Sequence, residues 1–239
     1  MEEPLGIDVL VLGAAWYVVL LFSLTVHEAA HAFAALRGGD RTAYLGGQAS
    51  LDPIPHIRRE PLGTVVFPLL AYALSGGAWM FGWASTPFDP VWASHHPRRA
   101  AWMSLAGPAA NLLLAVAAGA ALRAGLQAGV FLPEPVGFAH LVGAVDGGVA
   151  AAAATLLSIA FTLNLVLFVF NLFPLPPLDG AGALGLVLPE DATRRLQEWF
   201  ASPGIALAGL LVVWLLFPRV FAPVHLAALQ FLYAGVTPS

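Results

Sequence analysis

The chain has 239 residues, of which 59% are hydrophobic and 10% charged, whereas a soluble domain is roughly 45–50% apolar and 25% charged. Several apolar runs reach the ~20 residues needed to cross a bilayer, which sets aside one large soluble core; a formal charge of -4, with the basic residues spread in pairs, sets aside a nucleic-acid partner. The absence of cysteine removes disulfides, thiolate metal sites and cysteine nucleophiles.

The first segment, about Val9 to Leu36, follows an acidic Met1-Glu2-Glu3-Pro4 where a signal peptide would be basic, so it is expected to stay in the mature protein. It is rich in Ala and Leu with no proline, which predicts a helix, and Gly38-Gly39-Asp40 ends it. Arg41 to Glu60 is polar and carries Gly46-Gly47 and two prolines, too broken for a membrane helix and suited to one or two short strands. A second apolar stretch, Pro61 to Trp83, contains Pro68, Gly76 and Gly77. The third segment is Ala100 to Leu126, and the fourth runs from about Val149 to Phe173 into Pro174-Leu-Pro-Pro-Leu-Asp-Gly180. Glu190 to Glu198 is a short charged piece. The tail, Gly204 to Val236, is broken by Pro218, Arg219 and Pro223 and reads as one kinked span or a helical hairpin. No repeat or polar linker marks off a second unit. The expectation is a single all-α polytopic membrane domain over residues 1–239, with core segments near 9–37, 100–126 and 149–180. It would have five or six membrane elements, a re-entrant hairpin among them, and room for a small membrane-associated β element.

Arginine placement orients these segments, since basic loops are held on the cytoplasmic side. Arg37, Arg41, Arg58, Arg59, Arg98 and Arg99 all fall between the first and third segments, and Glu2, Glu3 and Asp8 precede the first. The first segment therefore runs from outside to inside. The stretch Pro61 to Trp83 must return to the side it left, as a re-entrant hairpin tolerated only where protein or water covers its freed backbone. The fourth segment then delivers Asp179 to the cytoplasmic side, where the first carries two histidines.

Those histidines lie in His27-Glu28-Ala29-Ala30-His31, an H-E-x-x-H pattern on a predicted helix. Histidines at i and i+4 project from one face and reach one Zn2+, while the intervening glutamate addresses a metal-bound water. A solvated His/Glu face is the bland alternative, and the apolar flanks weaken it, because ionisable groups inside a membrane segment are costly and mostly functional. A catalytic zinc needs a third protein ligand and an open position. Asp179, the only carboxylate between Asp146 and Glu190, is the first candidate; the alternative makes Asp179-Gly180 a simple turn pair. His56, His95, His96 and Glu60 compete with it from polar loops, where histidines are more often surface residues, and His140 and His225 stand further back.

Three motifs carry a resemblance. His27-Glu-Ala-Ala-His31, Gly107-Pro-Ala-Ala-Asn111 and Asn171-Leu-Phe-Pro-Leu-Pro-Pro-Leu-Asp179-Gly180 together resemble the site-2 protease family of intramembrane zinc metalloproteases, in its short bacterial branch without a PDZ or CBS domain. The resemblance implies one Zn2+ per chain held by His27, His31 and Asp179, Glu28 as general base, and Asn111 and Asn171 near the site as substrate or oxyanion contacts. His56 is a further accessory candidate. On their own residues, Asn111 also fits an interhelical packing bond and Asn171 a cap on backbone freed by the prolines after it.

The implied function is hydrolysis of peptide bonds in transmembrane protein or peptide substrates, by a multi-pass protein of the cell membrane whose site faces the cytoplasm. A substrate helix must unwind first, and an extended substrate strand would be sought along Arg41 to Asp52, around Tyr44 and Leu45. A membrane metal-ion transporter is a rival, though no ligands repeat along a path and no pseudo-repeat is visible. A non-catalytic relative that binds membrane helices is another, and the intact Glu28 counts against it.

Overall fold

The computed structural model describes residues 7–134, 137–200 and 202–235; Glu2, Glu3 and Val236 of the sequence reading lie outside the described residues. In chain order the helices are α1 (Ile7–Gly38), α2 (Thr42–Leu45), α3 (Pro53–Arg59), α4 (Phe67–Leu74, entered through a π-helical turn, Leu62–Val66), α5 (Pro90–His95), α6 (Pro97–Gln127), α7 (Val149–Asn171), α8 (Asp179–Ala183), α9 (Glu190–Phe200) and α10 (Pro203–Tyr233). Strands β1 (Phe131–Pro133) and β2 (Val142–Ala144) pair antiparallel between α6 and α7. Among the described residues four helices, α1, α6, α7 and α10, are long and apolar enough to cross a membrane, and Leu62–Leu74 is a shorter apolar helix. The tail is thus one continuous helix with Pro218 and Pro223 inside it, not a hairpin.

The core is built on α7. One face packs Leu165 and Val169, with Phe173 just past the helix end, against Leu122 of α6 and Val213 and Phe221 of α10. The other packs Ile159, Leu163 and Leu167 against Trp16, Leu20 and Leu24 of α1. Small residues let the helices approach: Ala115 and Ala118 of α6 and Ala154 of α7 are all buried, as expected where dispersion rather than water drives helix association.

The stretch between α1 and α5 is a hairpin that goes out as helix and returns as extended chain. At its turn the Tyr72 hydroxyl donates to Val9 O at 2.8 Å, and at its base the Ser85 hydroxyl donates to Glu60 Oε1 at 2.6 Å and Thr86 meets Glu28. Val9 and Glu28 are about 28 Å apart along α1 at 1.5 Å per residue, so the hairpin penetrates close to the ~30 Å thickness of a hydrocarbon core and comes back to its starting side. Its two limbs touch where Trp83 N donates to Gly63 O at 3.1 Å; a Cβ on Gly63 would lie 2.3 Å from Trp83 O, so only glycine admits this approach.

Residues 41–52 do not form a strand. Asp40 accepts from Thr42 N at 2.8 Å and Thr42 Oγ1 at 2.6 Å, Leu45 N bonds Arg41 O, and the chain turns into α2. Asp52 then caps α3, accepting from Ile54 N at 2.9 Å with Pro53 in the first turn, and Asp89 caps α5 in the same way through Val91 N, ahead of Pro90.

Asp40 also accepts from Asp89 N at 2.8 Å, tying the end of α1 to the end of the hairpin's return limb. Burial alone would push its carboxyl up; the bonds from the Thr42 hydroxyl, Thr42 N and Asp89 N outweigh that and hold it below the usual carboxylate range. A lowered folded-state pKa gives stability that is present above the unfolded value of about 3.9 and lost as pH falls through the folded one. In zinc-free protein Asp40→Asn is therefore expected to melt below wild type near neutral pH, with the gap in Tm closing below about pH 4. A gap that stays constant with pH would show that the charge on Asp40 is not what holds the loop.

Candidate metal centre

His27 and His31 lie one turn apart on α1 and are buried, at 5% exposure each. α6 runs antiparallel beside them and meets both with one stripe at four-residue spacing, Met103, Gly107 and Asn111. His31 Nδ1 donates to Met103 O at 2.7 Å, and His27 Nδ1 donates to Asn111 Oδ1 at 2.5 Å. Between these bonds Gly107 lies against the rings: a Cβ there would be 2.4 Å from His31 Nε2 and 2.5 Å from His27 Nε2.

Asp179 opens α8, after the proline turn that follows α7. That turn rests against α10, where Gly209 passes beneath Pro176 O. The carboxylate reaches back to the histidines, with Oδ2 3.1 Å from His27 Nε2 and Oδ1 3.3 Å from His31 Nε2. The side chain keeps 22% exposure, but Oδ2 is enclosed and has no hydrogen-bond donor. Burial pushes the Asp179 carboxyl up, and the His31 and His27 imidazoles outweigh it, holding it well below the usual carboxylate range.

The donor set fits a zinc ion. The two Nε2 atoms are 3.0 Å apart, so the three edges of the triangle measure 3.0, 3.1 and 3.3 Å. Bonds of about 2.0–2.1 Å to a tetrahedral centre would give edges of about 3.3 Å, within a few tenths of an ångström. The hydrogen bonds are compatible with this. A carbonyl oxygen only accepts, so both Nδ1 atoms carry hydrogen, and in neutral imidazoles both Nε2 atoms present lone pairs. Two lone pairs and a carboxylate at these distances are met by a cation among them, either a proton on one Nε2, which is what holds the Asp179 carboxyl low, or a metal ion. Among the described residues, His27, His31 and Asp179 are the one group of three metal-binding side chains that converges.

The other sequence candidates have protein partners of their own. His56 is buried at 1% exposure and meets Ser50 O through Nε2 at 3.2 Å, as part of the α3 loop. Asn171 donates to Leu167 O of its own helix at 3.0 Å, a carbonyl one turn back and not one of those freed by the prolines that follow. Asn111 is fully enclosed, with Oδ1 on His27 and Nδ2 on Asn164 Oδ1 at 2.8 Å; it holds a histidine and has no free end to offer a substrate.

Two residues beside the site were not singled out in the sequence. Thr86, on the return limb of the hairpin, places its hydroxyl 2.7 Å from Glu28 Oε2 and 2.9 Å from Glu28 O. Glu28 is itself buried at 4% exposure, so this hydroxyl supplies a partner that a membrane-embedded carboxylate needs. The limb is fixed by Gln48, which donates to Ser85 O at 3.1 Å, and by Arg59 and Glu60 on the Ser85 hydroxyl. The second is Asn164, in the middle of α7. Nothing in the spacing marks Thr86; Asn164 carried a signal, as an amide inside an apolar run.

The profile of peptidase family M50 matches residues 15–216. The chain is 33% identical over 188 residues to "Putative zinc metalloprotease YwhC" of Bacillus subtilis, covering 76% of this chain and 72% of that protein. It is 34% identical over 200 residues to "Putative zinc metalloprotease Rip2" of Mycolicibacterium smegmatis, covering 81% and 64%, and 36% identical over 210 residues to the protein of that name in Mycobacterium tuberculosis H37Rv, covering 88% and 68%. About a third of the length of each mycobacterial relative lies outside the match. No solved structure matches. The family profile covers α1 with its histidine pair, α6 with Gly107 and Asn111, and the turn that carries Asp179, and this chain belongs to peptidase family M50.

Proposed function

We propose that the chain is an intramembrane zinc metalloprotease that hydrolyses peptide bonds of membrane-embedded protein substrates, with His27, His31 and Asp179 holding one zinc ion and Glu28 moving the proton. The observation that carries this is the convergence of three enzyme-type ligands, from α1 and from the turn after α7, next to a buried glutamate. Zinc bound there supplies a Lewis acid for the scissile carbonyl and brings water's pKa down to about 7. Glu28 takes the proton of the attacking water and returns it to the leaving amine, which requires hydrogen-bond reach of about 2.6–3.2 Å. Met103 O and Asn111 keep the imidazoles turned toward the ion, and Thr86 holds the Glu28 carboxylate in one rotamer.

The site belongs on the cytoplasmic side. Eight of the ten arginines, all except Arg123 and Arg219, fall at the end of the bundle that carries His31, in the loops and short helices around the start of α6 and in α9, and basic loops are retained inside. The substrate reads as an unwound transmembrane segment lying along the return limb of the hairpin. Between Met80 and Thr86 that limb has no ladder partner, and among the described residues only Trp83 N and Ser85 O of its backbone are bonded. Free main-chain groups at membrane depth need a partner, and an extended chain provides one. This replaces the strand sought at Tyr44 and Leu45, which lie in a helical turn.

The test is cleavage of a generic transmembrane substrate by purified protein in detergent, with metal content measured on the same sample. One zinc per chain with cleavage is expected, and both are expected to fall in Asp179→Ala. Zinc at full occupancy with no cleavage of membrane substrates, and metal flux in vesicles, would instead support transport.

Thr86→Val keeps the shape and removes the hydroxyl. It is expected to lower kcat by about 10-fold with KM and zinc content near wild type, while Thr86→Ser retains most activity. Equal kcat in Thr86→Val and wild type would mean that the hydroxyl does nothing for Glu28.

A further inference from the structure

Asn164, at 1% exposure, stands in a helix whose other buried residues are apolar except for the hydroxyl residues Ser158 and Thr162. A primary amide in that setting must satisfy both ends, and Asn164 does. Its Nδ2 donates to Ala160 O at 2.9 Å and to Ser23 Oγ at 2.9 Å, and its Oδ1 accepts from Asn111 Nδ2 at 2.8 Å. Asn111 Oδ1 in turn accepts from His27 Nδ1. The chain of bonds therefore runs from α7 through α6 to the ligand face of α1.

The direction of this chain is not free. Amide nitrogen and oxygen are easily exchanged in shape, so only the partners decide which end points where. Ser23 decides nothing, because a hydroxyl donates or accepts. Ala160 O only accepts, so it must face the nitrogen of Asn164. Asn164 then turns its oxygen to Asn111, Asn111 turns its nitrogen to Asn164 and its oxygen to His27, and His27 must carry its hydrogen on Nδ1. That leaves the Nε2 lone pair aimed at His31 Nε2 and Asp179. Reversing any amide would put the hydrogen on Nε2, where a metal must displace it.

We infer that Asn164 is a positioning residue for the metal: anchored by the Ala160 carbonyl, it fixes the orientation of Asn111 and through it the Nδ1–H tautomer of His27. The inference rests on His27 being a zinc ligand, the reading given above. Partners of ligating histidines contribute 10–100-fold to metal affinity, and Asn164 acts one hydrogen bond further out.

The experiment is a chelator-competition titration of zinc on the full-length protein in detergent, for wild type, Asn164→Leu and Ser23→Ala. It is paired with nitrogen NMR of the zinc-free, histidine-labelled protein, with the His27 signal identified by its loss in His27→Gln. Zinc affinity in Asn164→Leu is expected to fall about 10-fold, and the His27 signal to move from a single Nδ1–H tautomer to a mixture. Ser23→Ala, which leaves the Ala160 anchor in place, is expected to stay within about 2-fold of wild type. If Asn164→Leu does not fold, Asn164→Ser, too short to reach Asn111, is expected to show the same two changes. Wild-type affinity or an unchanged tautomer in the Asn164 variant overturns the inference, as does an equal loss in Ser23→Ala. A wild-type protein that takes up no zinc overturns the metal site and this inference with it.

Discussion

Glu28→Gln is expected to reduce peptide cleavage by about 10³-fold while leaving zinc at one per chain. Positioned general acid–base groups contribute 10²–10⁴-fold, and Glu28 is the carboxylate next in sequence to His27 and outside the triangle of His27, His31 and Asp179. The amide keeps the size of the side chain, and its oxygen still accepts from the Thr86 hydroxyl that now bonds Oε2 at 2.7 Å, so the return limb of the hairpin stays in place. What is lost is the capacity to take a proton from water and hand it on. Metal analysis and cleavage measured on one preparation separate the two effects. Cleavage that persists in Glu28→Gln would sink the assignment of the base, and zinc lost together with cleavage would place Glu28 in the structure of the site rather than in its chemistry.

Much of this architecture is legible in the sequence because a bilayer constrains it so strongly. A run of ~20 apolar residues has few fates, and α1, α6 and α7 begin and end within a few residues of where composition alone puts them. The histidine pair is legible because i and i+4 share a helix face. Asp179 is legible from topology, since arginine placement brings it to the end of the bundle where His31 lies. What the sequence hides is contact between elements. The pair Asp52-Pro53 and the pair Asp89-Pro90 are both helix starts, a cap followed by proline, and neither is long enough to announce a helix. Thr86 looks like any loop threonine until the return limb lays it on Glu28. The strands fall in the loop between α6 and α7 rather than after α1, because three-residue strands carry too little alternation to be read.

The Gly-Pro-x-x-Asn motif gains a physical reading from the same contacts. Gly107 and Asn111 are four residues apart on α6, and His31 and His27 are four apart on an antiparallel α1, so the motif and the histidine pair are mated in register. One position leaves room for the rings and the other bonds one of them. The packing role open to Asn111 and its role at the site are one arrangement, since the amide bonds Asn164 with one end and His27 with the other.

Gly107→Ala is accordingly expected to abolish stoichiometric zinc binding, with affinity lowered by ~100-fold or more and cleavage lost with it. The new Cβ would lie 2.4 Å from His31 Nε2, 2.5 Å from His27 Nε2 and 2.7 Å from His27 Cε1, far inside the 3.5–4.0 Å of a favourable carbon contact. The rings cannot swing aside cheaply, because Met103 O and Asn111 Oδ1 hold their far nitrogens. The alternative, α6 moving away from α1, breaks those same two bonds. Gly119→Ala on the same helix is the control, since its Cβ would meet only the Phe161 ring, at 2.9 Å, where a side chain with no ligand to hold can give way. Zinc content and melting temperature of the two variants separate a local effect from a general loss of helix packing. Zinc lost in Gly107→Ala and kept in Gly119→Ala fits the centre described here; full zinc in Gly107→Ala would mean that the ligand nitrogens do not face α6 in the loaded protein.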